Sequence, residues 1–222
     1  MIPARFGSSG GNALASYDYY DIDEGVGYVV YYGAKGTDEY LVVKNPIYSN
    51  VIVSEVRIND LAAATKKLDI DFDITFNLPK IVKGKAFVTF SQGANVFTSG
   101  KIQYIYEIVR IRKWDGATET EIANNQGDTI QTPAGTGAWM TTPKTKTECI
   151  EVDVPQTHFK KGETLRITME LWAQNDGVAD GWAGFGHDPK DRDEDSTEMT
   201  HPLIANAYTT IMEIHIPFKL AL

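Results

Sequence analysis

The chain has 222 residues, with 21 Lys and Arg against 30 Asp and Glu, a formal net charge of −9. That balance disfavours direct nucleic-acid binding, which needs clustered cations to neutralise phosphates. A single cysteine, Cys149, excludes an intrachain disulfide and points to assembly away from oxidising compartments.

Residues Met1 to Ala15 hold one Arg and no apolar core of the kind a signal peptide needs, and no stretch approaches the ~20 apolar residues of a membrane span. A soluble protein made in the cytoplasm is the expectation. Residues 1–16, with Phe6-Gly7-Ser8-Ser9-Gly10-Gly11, read as a flexible arm, either a free tail or one that docks on an adjacent subunit. A single domain over 17–222 follows. The second half of Tyr17 to Gly33 is rich in β-branched and aromatic residues and reads as a strand. Its tyrosines suit either sugar stacking or interface packing. Gly33 to Asp38 is a turn, Tyr40 to Val43 a short return strand, and Ile47 to Ile58 another extended run. Leu61 to Lys67 fits two turns of helix capped by Asp60, or a loop.

Leu68, Ile70, Phe72, Ile74, Phe76 and Leu78 alternate with Asp69, Asp71, Asp73, Thr75 and Asn77, the pattern of a strand with one buried face. The three aspartates, about 7 Å apart along the strand, suit a Ca²⁺ site or a solvated face that discourages edge pairing. Pro79 ends this strand, and Val82-Lys83-Gly84-Lys85 turns into Ala86 to Phe90. Ile102 to Trp114, Asp115-Gly116 and Thr118 to Ala123 make a hairpin. Asn124 to Lys146 is loop-like, with Trp139 against the body of the domain. In Glu148 to Val154, Ile150, Val152 and Val154 face inward. Cys149 then lies outward beside Glu151 and Asp153, whose charges raise a thiol pKa and leave it inert.

Two stretches show the same device most fully. Leu165, Ile167, Met169, Leu171 and Ala173 alternate with Thr164, Arg166, Thr168, Glu170 and Trp172. Met212, Ile214, Ile216, Phe218 and Leu220 alternate with Ile211, Glu213, His215, Pro217 and Lys219. Between them, Gln174 to Thr200 carries eight acids against Lys190 and Arg192 and reads as an acidic loop insertion. Asp191-Arg192-Asp193-Glu194-Asp195 begins like a calcium loop, but Ser196 stands where the sharp turn needs Gly and Pro202 where the ligand set needs Glu. His158, His187, His201 and His215 fit no metal spacing, and His187 with His201 would meet only if that loop folds back. There is no phosphate loop and no nucleophile elbow. Two suitably spaced carboxylates are all a glycosidase needs, so an acidic glycoside hydrolase stays as a third functional class.

Four stretches carry a resemblance: Tyr17 to Gly33 (YDYYDIDEGVGYVVYYG), Leu68 to Gly84 (LDIDFDITFNLPKIVKG), Tyr106 to Ala123 (YEIVRIRKWDGATETEIA) and Asp153 to Leu171 (DVPQTHFKKGETLRITMEL). Together they resemble jelly-roll virion structural proteins, capsid decoration or minor components, of tailed phages and related viruses. The resemblance implies a non-enzymatic subunit of the virion, repeated by symmetry and bound to other virion proteins and to its own copies. It brings no catalytic, cofactor or metal residues, and the acidic insertion has no counterpart in it.

The expected fold is all-β, a jelly-roll-like antiparallel β-sandwich of roughly eight strands with a flexible amino-terminal arm and long loops. Tyr17, Tyr19, Tyr20, Trp139, Trp182 and Phe185 are the expected interface residues, since aromatics dominate such contacts. The alternative is a carbohydrate-binding or adhesion module, with exposed Trp182 and Phe185 on a glycan beside a cation-holding acidic loop.

Overall fold

In a computed structural model of the chain, the residues described are 26–35, 39–45, 53–59, 61–96, 100–135, 144–177, 180–187 and 212–219. They form eleven strands: β1 (Val26–Lys35), β2 (Tyr40–Val43), β3 (Val53–Ile58), β4 (Thr65–Thr75), β5 (Lys80–Val96), β6 (Ile102–Trp114), β7 (Glu119–Gln126), β8 (Lys144–Phe159), β9 (Thr164–Asn175), β10 (Gly181–Gly186) and β11 (Met212–Lys219). The all-β antiparallel sandwich expected from the alternation is present, and no helix occurs among the described residues.

One sheet runs β4-β9-β6-β7; the other runs β2-β1-β11-β5-β10-β3, with β8 on the far edge of β5. All the pairings are antiparallel. The 17-residue β5 is the axis of the larger sheet. β8 follows it from Lys80 to Ala94 along one edge. Its other edge is shared end to end: β11 takes Val82 to Phe90 and β10 takes Gln92 to Val96.

The two sheets close on one core. Leu165, Ile167, Met169, Leu171 and Ala173 of β9 are fully buried, facing Met212, Ile214 and Ile216 of β11 and Val88 and Phe90 of β5 across the sandwich interior. Each such side chain contributes about 1.5–3 kcal/mol by leaving water.

Several expectations change in the structure. The outer face of β9 is more buried than expected, with Thr168 and Glu170 buried and Arg166, Trp172 and Gln174 half-buried, because the strand is central in its sheet and polar side chains from β4 and β6 lie over it. Leu61 to Ala64 is an irregular turn and β4 starts at Thr65, so no helix forms there. Leu78 is 67% exposed rather than inward, because β4 ends at Thr75 and the turn breaks the pleat first. Val82 to Lys85 is no turn. It is a bulge inside β5, where the pairing with β8 shifts register and Gly84 takes φ 113°, a value open to glycine.

The loop assigned to Asn124–Lys146 is shorter than expected: β7 runs to Gln126, Ile130 bridges back to Ile105, and β8 begins at Lys144. The acidic insertion is partly sheet, since β9 extends to Asn175 and β10 occupies Gly181–Gly186. The arm at 1–16, Tyr17, Tyr19, Tyr20, Trp139, His201 and residues 188–200 lie outside the described residues.

Candidate functional site

At one end of the sandwich the strand ends leave a groove of about 1130 Å³. It lies where β1 begins, β4 turns into β5, β8 ends and β11 ends. Its floor is aromatic: Phe76 meets Phe159 edge-to-face at 5.2 Å and Phe218 at 5.8 Å. Leu78 stands at the lip, and Tyr28, also lining the groove, donates its hydroxyl to the Lys85 carbonyl at 2.7 Å. Lys44, Lys80, Lys160 and Lys219 line it as well, and no Asp or Glu does so among the described residues. None of these four ammonium groups forms an ion pair among the described residues. An apolar trough with a cationic rim, on a chain of net charge −9, is matched to an occupant that is apolar and anionic together.

The outer face of the smaller sheet is a lattice of charges. Arg166 of β9 donates two parallel 2.8 Å hydrogen bonds to Asp73 of β4, lies 3.2 Å from Glu119 of β7, and sits over the Trp114 ring at 5.7 Å. Thr168 donates to Asp71 at 2.6 Å, and Lys66 pairs with Asp69. The aspartates that the sequence offered as a cation site are therefore taken by the protein's own cations and hydroxyls. Glu170, with 3% of its side chain exposed, accepts from Lys66 at 3.2 Å and Trp172 Nε1 at 2.9 Å, with Arg110 Nε 3.0 Å away. Burial opposes its charge, but hydrogen bonds from Arg110, Trp172 and Lys66 outweigh that and hold its pKa at about 2. Beside it the Tyr106 and Trp172 rings stack at 6.3 Å, 6° from parallel, and Tyr104, 42% exposed, lies two residues along β6.

Two buried polar sets lie inside. Tyr40 and Ser54 share a 2.6 Å hydroxyl hydrogen bond, and Ser54 Oγ lies 3.1 Å from His187 Nε2. Burial, helped by the Lys35 charge, holds the His187 pKa down at about 3, so the ring is neutral. Acyl transfer needs a Ser–His pair with an orienting group at the far ring nitrogen and access for a substrate. Among the described residues no side chain orients His187 Nδ1, and Ser54 and His187 are both buried. This set closes the core between β2, β3 and β10.

In the second set Glu148 accepts from Gln92 at 2.6 Å and from the Asp128 amide at 2.7 Å and pairs with Lys146, while Glu107 is buried with no side-chain partner among the described residues. Desolvation, then the Glu148 charge, pushes the Glu107 pKa well above the usual carboxylate range, partly offset by Lys146. A raised folded pKa favours the protonated native state. That stability is full below the unfolded pKa and is lost as pH rises toward the folded one. Glu107→Gln is expected to gain a few degrees in unfolding midpoint over the parent at pH 8 and little at pH 4; a gap independent of pH in calorimetry would contradict a protonated Glu107.

Of the expected interface residues, the structure describes two. Phe185 is fully buried, packed edge-to-face on Phe90 at 6.0 Å, and offers no contact surface. The expectation failed because β10 sends Ala183 and Phe185 into the core. Trp182 is half-buried on the opposite face of the same strand, across from Arg57. The groove lysines come from four separate segments, and only the folded topology brings them together. Tyr104, Tyr106 and Trp172 were hidden for the same reason.

No family model matches this sequence, and no curated protein does. Among solved structures, a CocE/NonD family hydrolase from Staphylococcus aureus aligns over 87% of this chain at 11% identity, TM-score 0.48. An alpha-amino acid ester hydrolase covers 86% of it at 8% identity, TM-score 0.43. The structure of infectious bursal disease virus, Gx strain, covers 83% at 9%, TM-score 0.28. This chain spans 37%, 36% and 40% of those chains respectively. Neither fold nor function follows from alignments this distant.

Proposed function

We infer that the chain is a non-enzymatic structural protein of a virus particle, a capsid decoration or minor virion component that binds other virion proteins and its own copies. The observation that carries this reading is the end groove, an apolar trough lined by Lys44, Lys80, Lys160 and Lys219. Its lining suits a segment of polypeptide and offers no paired acid and base for turnover. The strand and turn patterns shared with jelly-roll virion proteins support the same reading. The buried Ser54–His187 and Glu107–Glu148 sets stabilise or strain the core and face no opening among the described residues.

A second reading, a glycan-binding module, is favoured by one observation: the Tyr106–Trp172 stack with Tyr104 beside it, in place of Trp182 and Phe185. Immunogold labelling of particles from the producing culture, with antibody against this chain, tests the first reading. Gold on the particles is the expected result. Gold confined to the soluble fraction, with a glycan-array signal lost in Trp172→Ala, would replace it with the second.

A further inference from the structure

We propose that the end groove receives the segment Tyr17–Glu24 of a second copy of this chain, exchanged reciprocally between two molecules set mouth to mouth. This rests on the self-associating role inferred above and names the surface that performs it.

Three observations converge. The first is composition: Tyr17-Asp18-Tyr19-Tyr20-Asp21-Ile22-Asp23-Glu24 interleaves four apolar or aromatic side chains with four acids. The groove presents the complement, an aromatic floor of Phe76, Phe159 and Phe218 with Lys44, Lys80, Lys160 and Lys219 at its rim. Four negative charges meet four positive ones, and the tyrosines supply rigid apolar area at low entropic cost.

The second is position. The segment joins β1 through Gly25 alone, and Gly27 already lines the groove. Eight residues extended at about 3.3 Å each reach roughly 26 Å, ample to cross a shared mouth. The third is direction. β1 enters its sheet from the groove end, with Val26 held in register against Lys219. A segment that carries on past this mouth can enter a facing molecule's groove, and a two-fold axis then satisfies both grooves at once. Such a pair brings two lysine rims together, so the inserted acids are what makes the contact attractive.

The test uses full-length chains and sedimentation equilibrium. One variant reverses the donor (Asp21→Lys with Glu24→Lys); the other reverses the acceptor (Lys80→Glu with Lys160→Glu). The parent is expected to dimerise, more weakly as salt rises. Each variant alone should dimerise at least roughly tenfold more weakly, because like charges then meet in both grooves. Mixed in equal amounts, the two should form a 1:1 heterodimer, since both exchanged contacts are again of opposite sign. Matching thermal unfolding of both variants to the parent confirms that they are folded. A monomeric parent, variants that dimerise like the parent, or a mixture that stays monomeric would each overturn the exchange. Particle labelling would be untouched by these outcomes, which separates this proposal from the reading it rests on.

Discussion

Glu170→Gln lowers the unfolding midpoint at pH 7 by roughly 5–10 °C. The carboxylate is held at once by Lys66, Arg110 and Trp172, with Arg112 3.8 Å away. Removing its charge leaves those cations facing one another over a nearly dry sheet face. Breaking a buried pair costs about 3–5 kcal/mol. Arg110 and Arg112 keep 22% and 20% of their side chains exposed, which screens the penalty to about 2–3 kcal/mol. In a chain of this length each 1 kcal/mol moves the midpoint by about 2–4 °C. The effect depends on pH. The folded pKa of about 2 lies below the ordinary glutamate value of 4.5, so the stabilisation is present above pH 4.5 and is lost as pH falls toward 2. Parent and variant should therefore converge on acidification. A midpoint difference at pH 3 as large as at pH 7 would remove the ionised Glu170 from its place at the centre of this network.

The second large effect is expected inside. Phe72 of β4 is fully buried, meets Tyr40 of β2 edge-on at 5.7 Å, and packs so close to Gly33 of β1 that a Cβ there would lie 3.1 Å from its ring. One side chain thus ties the smaller sheet to two strands of the larger. Phe72→Ala should cost about 3–5 kcal/mol, read as a lower urea midpoint at unchanged slope. Leu78→Ala, on a side chain 67% exposed, should stay within about 0.5 kcal/mol. If the two variants unfold at the same urea concentration, the core as described is wrong.

The segments that were legible in the sequence share a physical cause. β9, β11, β4 and β6 face a dry interior on one side, so their alternation had to be written into the residues: Leu165 to Ala173, Met212 to Phe218, Ile70 to Phe76, Ile105 to Ile111. β10 was missed for the opposite reason. Gly181-Trp182-Ala183-Gly184-Phe185-Gly186 has no β-branched residue and looks like loop. Yet a Cβ at Gly181 would collide with the Asn95 carbonyl, and one at Gly184 with the Ser54 carbonyl. Close backbone approach, rather than strand propensity, chose those residues. The bulge at Gly84 misled in the same way, a glycine placed for its φ inside a strand. The groove had no local signature at all, because its floor and its rim are drawn from segments distant along the chain.

The end-to-end placement of β10 and β11 on one edge of β5 has a consequence for how this molecule tolerates change. Phe185 stands opposite Gln92 and Met212 opposite Phe90, so the polypeptide departs and rejoins the larger sheet at positions two residues apart on the same neighbour. Extra sequence spliced between these two strands is therefore expected to leave the ladders of β10 and β11 on β5 in step, so that a foreign epitope carried there should leave the unfolding midpoint within a few degrees of the parent.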